Sequence, residues 1–167
     1  AVKHLIDSGR TRIGMITYQS DLFHLKERTS GYLSALKESN IDFDKCWLKQ
    51  VDIINDQSEI EKSIKELLST DPQIDAVLFG SNMIAMHCLK YINTLAIEVP
   101  HDLAIVSFDQ AAILDIFYSP VTYIKQPLEE MGQAAIKALL ESIKDAGYIT
   151  EVKFNGKLVI QDSTKSN

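Results

Sequence analysis

Short apolar runs alternate with longer amphipathic stretches along this chain of 167 residues, and no other feature restricts its fold as strongly. Residues 75–79 (DAVLF) and 103–108 (LAIVSF) are almost wholly apolar, which is typical of strands that are covered by helices on both faces. Strands that alternate with helices predict an α/β fold, a mostly parallel sheet flanked by helices. The predicted strands span residues 12–17, 47–53, 75–79, 103–108 and 121–125.

The stretches between the predicted strands carry apolar residues at helical spacing. In the last of them, Pro127 fits the start of a helix, and Glu129 and Glu130 fit its first turn. Near the carboxyl terminus, Asn155-Gly156 predicts a hairpin between residues 152–154 and 158–160. The polar tail that starts at Ser163 is expected to fray. The predicted helices span residues 1–7, 22–39, 82–95, 127–146 and a segment that ends near residue 69 and is capped by Asp56 or Ser58.

Composition excludes several classes of protein. The net charge of -6 argues against a nucleic-acid-binding surface on this chain, because such a surface needs concentrated positive charge. The two cysteines, Cys46 and Cys88, lie among apolar residues and have no spacing that suggests a metal or redox site. No apolar run approaches the roughly 18 residues of a membrane helix. The chain begins at Ala1 inside a predicted helix and shows no signal peptide, so we expect a piece of a longer cytoplasmic protein without membrane contact.

Polar side chains follow the predicted strands at the point where each strand ends. Because the carboxyl ends of parallel strands meet at one edge of a sheet, ligands of such folds bind at that edge. Asn82 and Asp109 follow two of the strands, and Arg28 lies in the helix after the first strand. Carboxylate, amide and guanidinium groups together suit a small molecule rich in hydroxyl or amide groups. The secondary candidates at the same edge are Tyr18, Ser20 and Gln110.

The sequence contains none of the catalytic motifs that would support an enzyme of this fold. No glycine-rich phosphate loop follows the first strand, and no Gly-x-Ser-x-Gly turn is present. Tyr18-Gln19 stands where a phosphorylation receiver needs an acidic pair. We therefore expect a binding protein that is not an enzyme and has neither cofactor nor metal. The residues alone leave two alternatives open: Asn82 and Asp109 could cap the helices that follow them, and Arg28 could be a solvated helix residue.

Several motifs, in order and at characteristic spacing, resemble the effector-binding domain of the LacI/GalR family of transcriptional regulators, which has a periplasmic-binding-protein-like fold. This resemblance implies that Arg28, Asn82 and Asp109 contact the effector. Met83 and Gln110 depart from the family pattern, which often has Asp at the first position and Asp or Asn at the second. These departures leave the ligand class open: a sugar is the leading candidate, with sugar phosphates, nucleobases and other polar metabolites as the alternatives. The motifs are Arg28-x-x-Gly31-Tyr32, Ser81-Asn82, Val99-Pro100-x-Asp102-Leu103-Ala104-Ile105-Val106-Ser107-Phe108-Asp109, Ser119-Pro120-Val121-Thr122, Gln126-Pro127 and Met131-Gly132.

The resemblance also implies how the chain is organised. Residues 1–125 and 148–167 would form mainly the carboxyl-terminal lobe of a two-lobed sensor, and residues 126–147 would cross over to complete a missing amino-terminal lobe. A missing helix-turn-helix would bind operator DNA, and the effector would control that binding in a homodimer. A secreted sugar-binding receptor of the same fold is the alternative.

Without its partner lobe, the predicted crossover helix would expose an apolar stripe. Such a stripe usually finds a partner, so we expect this helix either to fold onto its own lobe or to exchange with a second copy in a dimer. The stripe comprises Leu128, Met131, Ala135, Leu139 and Ile143.

Overall fold

A six-stranded sheet forms the centre of the computed structural model, which describes residues 1–52 and 57–165. The strand order is β2-β1-β3-β4-β5-β6, in which every neighbouring pair is parallel except β5 and β6. This architecture confirms the predicted α/β class with a mostly parallel sheet. The strands are β1 (Ile13–Gln19), β2 (Leu48–Asp52), β3 (Ala76–Phe79), β4 (Ala104–Phe108), β5 (Thr122–Lys125) and β6 (Lys157–Val159).

Helices cover both faces of this sheet. The first two helices pack on one face, the next three pack on the other, and the last follows β5. Along β1, Met15 and Ile16 are both fully buried but belong to opposite clusters, because successive side chains of a strand point to opposite faces. The helices are α1 (Val2–Asp7), α2 (Phe23–Glu38), α3 (Gln57–Leu68), α4 (Asn82–Ile92), α5 (Ala112–Ile116) and α6 (Leu128–Lys144).

Several predicted boundaries differ from the structure. α4 ends at Ile92, three residues before the predicted end. Ser58 lies inside α3 and does not cap it, and the other predicted cap, Asp56, lies outside the described residues. The five-residue α5 was not predicted, because a helix this short has too few turns to show a periodic pattern.

The predicted terminal hairpin is wrong. Residues 152–154 form no strand, and β6 pairs with β5 instead. Gly156 lies so close to β5 that an added Cβ would be 2.9 Å from Cγ2 of Ile124. The glycine at this position therefore permits a close approach to the sheet rather than a turn between two strands.

Ser163 and Thr164, at the start of the polar tail, are anchored rather than frayed; the last two residues of the tail, Ser166 and Asn167, lie outside the described residues. The buried Ser163 hydroxyl donates to the Ile105 carbonyl at 2.6 Å and accepts from the Thr122 backbone N–H at 2.8 Å. The next residue, Thr164, bonds through its hydroxyl to the Thr122 hydroxyl at 2.7 Å and to Nε2 of His4 at 2.8 Å. These hydrogen bonds tie the end of the described chain to both the sheet and α1.

Of the helices that the structure describes, none is both long enough and apolar enough to span a membrane.

Replacing Ser163 with alanine should destabilise the chain by about 1–3 kcal/mol, because it leaves the buried Thr122 N–H without a partner. Urea unfolding measures this change. Ser142→Ala is the matched control, since that hydroxyl bonds only to the Leu139 carbonyl on an exposed helix and its loss should cost less than about 0.5 kcal/mol. Equal effects of the two substitutions would contradict the anchoring role.

Candidate functional site

The carboxyl-terminal edge of the sheet brings together two of the three predicted site residues. Nη1 of Arg28, from α2, lies 3.5 Å from Oδ2 of Asp109, which follows β4. Asn82, the first residue of α4, donates from its amide to the Gln110 carbonyl at 3.4 Å. Asp109 borders two clefts, one of about 610 Å³ that it shares with Arg28 and one of about 580 Å³ that it shares with Asn82.

Three groups hold the Arg28 side chain in place: the Phe108 ring, the Gly80 carbonyl and the Asp109 carboxylate. Its guanidinium stacks over the Phe108 ring at 4.2 Å from the ring centroid, and its Nη1 donates to the Gly80 carbonyl at 2.7 Å. Burial lowers the pKa of Arg28, while the neighbouring Asp109 carboxylate acts in the opposite direction; the guanidinium remains charged at neutral pH. Only 11% of this side chain is exposed, so the alternative of a solvated helix residue is wrong.

Asp109 has an unusual backbone. Its φ of 67° lies in the left-handed region, which aspartate tolerates better than most residues because its short side chain can bond locally. The Asp109 N–H donates to the Ile124 carbonyl at 3.1 Å, and Oδ1 accepts from Nε2 of Gln126. Asp109 does not cap a helix, because α5 begins only at Ala112 with Ala111 at its cap position. Strained backbone of this kind is frequent at ligand sites.

Asn82 is not the cap of α4 either. The Ser81 hydroxyl fills that role by accepting from the Ile84 N–H at 3.2 Å. The Asn82 amide is therefore not required for the helix start, and its side chain borders the second cleft together with Gln110.

The other two secondary candidates differ in their distance from the site. Tyr18 borders both the cleft that contains Arg28 and a second cleft beside Asp21 and Lys26, whereas Ser20 borders only the second cleft. The Ser20 hydroxyl accepts from the Leu22 N–H at 3.2 Å, which is a local turn contact.

The residues that lead into α6 and form its first turn were not predicted as part of the site. Gln126, Leu128 and Met131 border the Arg28 cleft, although the sequence had suggested only a helix start and an apolar stripe for them. The sequence shows Gln126-Pro127 as one of the family motifs. No local pattern, however, indicates that the Gln126 amide donates to Asp109, which lies 17 positions earlier.

Residues 1–52 and 57–165 contain no set of side chains suited to binding a metal ion. Nowhere in these ranges do three or more His, Cys, Asp or Glu side chains lie together so that they could hold an ion. The site instead offers hydrogen-bond donors and acceptors beside apolar side chains, an arrangement suited to binding.

Comparison of the chain with known proteins shows the family to which it belongs. The model of the periplasmic binding protein-like domain matches residues 2–164. The chain belongs to that family. The PurR transcriptional repressor of Aliivibrio salmonicida is 33% identical over 145 residues, which cover 87% of this chain and 43% of the repressor. The CelR regulator of Thermobifida fusca is 29% identical, covering 86% of this chain and 42% of the regulator.

The fold of the chain is similar to solved structures of transcriptional regulators. A CelR–cellobiose complex superposes with a TM-score of 0.85 and 26% identity, covering 98% of this chain and 50% of the CelR chain. These relatives are transcriptional regulators rather than enzymes, as the sequence had led us to expect. The chain spans about half the length of these relatives.

The carbonyl that anchors Arg28 belongs to a glycine in a tight space. A Cβ on Gly80 would lie 2.7 Å from Oγ1 and 2.9 Å from Cβ of the buried, β-branched Thr17. Gly80→Ala should therefore displace the Arg28 anchor and destabilise the chain by about 1–3 kcal/mol, which thermal or urea unfolding measures. Gly31→Ala is the control, because an added Cβ there meets nothing within 4 Å in the interior of α2; it should stabilise by about 0.5–1 kcal/mol. A neutral Gly80→Ala variant would show that Thr17 does not restrict this position.

Proposed function

We propose that this chain is the effector-sensing part of a LacI/GalR-type transcriptional regulator and that its effector is a small polar molecule, with sugars as the leading class. The observation that carries this proposal is the half-buried Arg28–Asp109 pair at the carboxyl edge of the sheet, with Asn82 in a cleft that Asp109 also borders. The names of the relatives, and the cellobiose in one similar structure, favour the same class of function.

The chemistry of the Arg28 cleft fits a hydroxylated ring. Arg28 donates, Asp109 accepts, and the Tyr18 hydroxyl can do both. Adjacent hydroxyl groups that accept from a guanidinium and donate to a carboxylate would satisfy these groups together. Apolar side chains from α2 and α6 line the same cleft and suit the apolar faces of such a ring: Leu22, Leu25, Leu128 and Met131.

We propose further that the chain is one lobe of a two-lobed sensor. Residues 1–125 and 148–167 would form mainly the carboxyl-terminal lobe, and residues 126–147 would cross to the other lobe. The support is the exposure of α6, none of whose 17 residues is buried. Its Leu128, Leu139 and Ile143 side chains are 69%, 60% and 73% exposed. The greater length of the relatives offers room for a lobe that covers them.

In this proposal, the effector acts by closing the two lobes on each other. Closure would change how a homodimer presents its DNA-binding heads to the operator, which requires that the effector bind one arrangement more tightly than the other. The net charge of -6 supports a DNA-binding surface outside this chain, because such a surface needs concentrated positive charge. A regulator of this kind works in the cytoplasm, and the naming of the relatives as helix-turn-helix regulators disfavours a secreted receptor.

Arg28→Ala and Asp109→Ala in the longer regulator should each weaken effector binding by about tenfold or more, because each removes a charged group that is proposed to hydrogen-bond the effector. Isothermal titration calorimetry against a panel of sugars, sugar phosphates and nucleobases measures the affinity.

Lys37→Ala is the matched control for these substitutions, since Lys37 lies on the exposed end of the same helix. It should leave the affinity unchanged. If the longer regulator bound no member of a broad panel, or if the Arg28 and Asp109 variants bound as tightly as Lys37→Ala, the proposed site would be refuted.

Leu139→Glu tests the proposed second lobe. The substitution should leave the stability of the 167-residue chain nearly unchanged, because Leu139 is exposed there, but it should destabilise the longer regulator by about 2 kcal/mol or more. Urea unfolding of both proteins measures the difference, with Lys137→Glu as the exposed control on the same helix. Equal losses in the two proteins would mean that α6 folds onto its own lobe. A dimer of the short chain that depends on Leu139 would indicate exchange between copies.

A further inference from the structure

A single hydrogen bond links the side chain of Asp109 to the segment that leads into α6. Nε2 of Gln126 donates to Oδ1 of Asp109, and the other carboxylate oxygen faces Arg28. Gln126 lies between the end of β5 at Lys125 and the cap of α6 at Pro127. The carboxylate is therefore shared between α2 and the crossover to α6.

The Asp109–Gln126 pair also lies where the two clefts meet. Both residues, together with Leu128, border the 610 Å³ cleft and the 580 Å³ cleft. A ligand that enters either cleft and donates to Asp109 approaches the oxygen that Gln126 already occupies. Such a ligand has to replace the Gln126 amide or bond beside it.

The turn from Gln126 into α6 is short and stiff. The Leu128 N–H donates to the Gln126 carbonyl at 3.0 Å, and the Met131 N–H donates to the Pro127 carbonyl at 3.0 Å. Proline restricts its own φ, so few backbone torsions separate Gln126 from the helix. None of the residues of α6 is buried, so packing against the lobe supplies little to fix the helix direction. The side-chain anchor of Gln126 is therefore well placed to set it.

We propose that Gln126 is a positioning residue that couples the occupancy of Asp109 to the orientation of α6; this inference rests on the proposed function. When an effector hydroxyl donates to Asp109, the Gln126 amide is released and α6 reorients. In the two-lobed protein, the helix so released is the one that crosses to the other lobe.

Two substitutions test this coupling in the chain itself. Gln126→Ala removes the donor. Gln126→Glu keeps the size but places a carboxyl group against Asp109, so it repels when ionised and can donate again when protonated. Because it faces Asp109, the introduced group should titrate above about 4.3, the value of a free glutamate.

Amide ¹⁵N NMR and residual dipolar couplings measure the orientation of α6 relative to β1–β4. We expect Gln126→Ala to shift the signals of residues 127–131 and to change the couplings of the whole helix. Gln126→Glu should match Gln126→Ala at pH 7 and return toward the wild-type spectrum as the pH falls below the titration point. A residue that only stabilises the fold would produce no such pH-dependent return.

Other charged groups near the pair have to be accounted for in the pH series. These are Arg28 and His24 on α2, Lys125 on β5, and Glu129 and Glu130 on α6. The wild-type chain contains all of them, so its own pH series serves as the reference. Gln133→Ala and Gln133→Glu are the matched controls, because Gln133 is an exposed glutamine on α6 that borders neither cleft.

The proposal is overturned if the couplings of α6 in Gln126→Ala coincide with those of the wild type, or if Gln126→Glu shows no pH dependence beyond the wild-type series. The calorimetric panel separates this inference from the proposed function. If α6 responds as expected but the longer regulator binds no panel compound, the effector function fails and the positioning of α6 by Gln126 stands. If a compound binds but the orientation of α6 does not change in the Gln126 variants, the proposed effector function is supported and the coupling through Gln126 is refuted.

Discussion

Helices cover the parallel sheet on both faces, and that double burial determines where everything else can lie. Ile13 and Met15 are buried under α1 and α2, while Ile16 and Val77 are buried under α3 and α4. Since both faces are occupied, only the edges of the sheet remain for polar chemistry. The strands β1, β3, β4 and β5 run in the same direction, so residues that are distant in sequence meet at their carboxyl ends.

At that edge the polar groups satisfy one another. Arg28 donates to Gly80 and faces Asp109, and Asp109 accepts from Gln126. A buried guanidinium without such partners would be strongly destabilising. A ligand that binds here has to replace the hydrogen bonds of this network that it breaks. Selectivity of this kind favours molecules that carry several donors and acceptors at fixed spacing.

The sheet and the approximate site were predictable from the sequence, because both follow from local patterns. Apolar runs such as residues 103–108 indicate buried strands, and strand direction then indicates that Asp109 and Asn82 share an edge. The failures have a common physical reason. The Asp109–Gln126 bond, the pairing of β6 with β5 and the anchoring of Ser163 are long-range contacts, and periodicity carries no information about them. The left-handed backbone of Asp109 was likewise not predicted, because aspartate tolerates this region without requiring it.

The proposed sensor depends most on Arg28 and Asp109, which would hold an effector between two lobes. A crystal structure of the longer regulator, grown with a compound that binds it in calorimetry, tests this directly. We predict polar groups of the compound within about 3.2 Å of both Arg28 and Asp109, with Leu139 and Ile143 of α6 buried in the second lobe. A compound bound away from this pair, or an α6 whose apolar side chains remain in solvent, would contradict it.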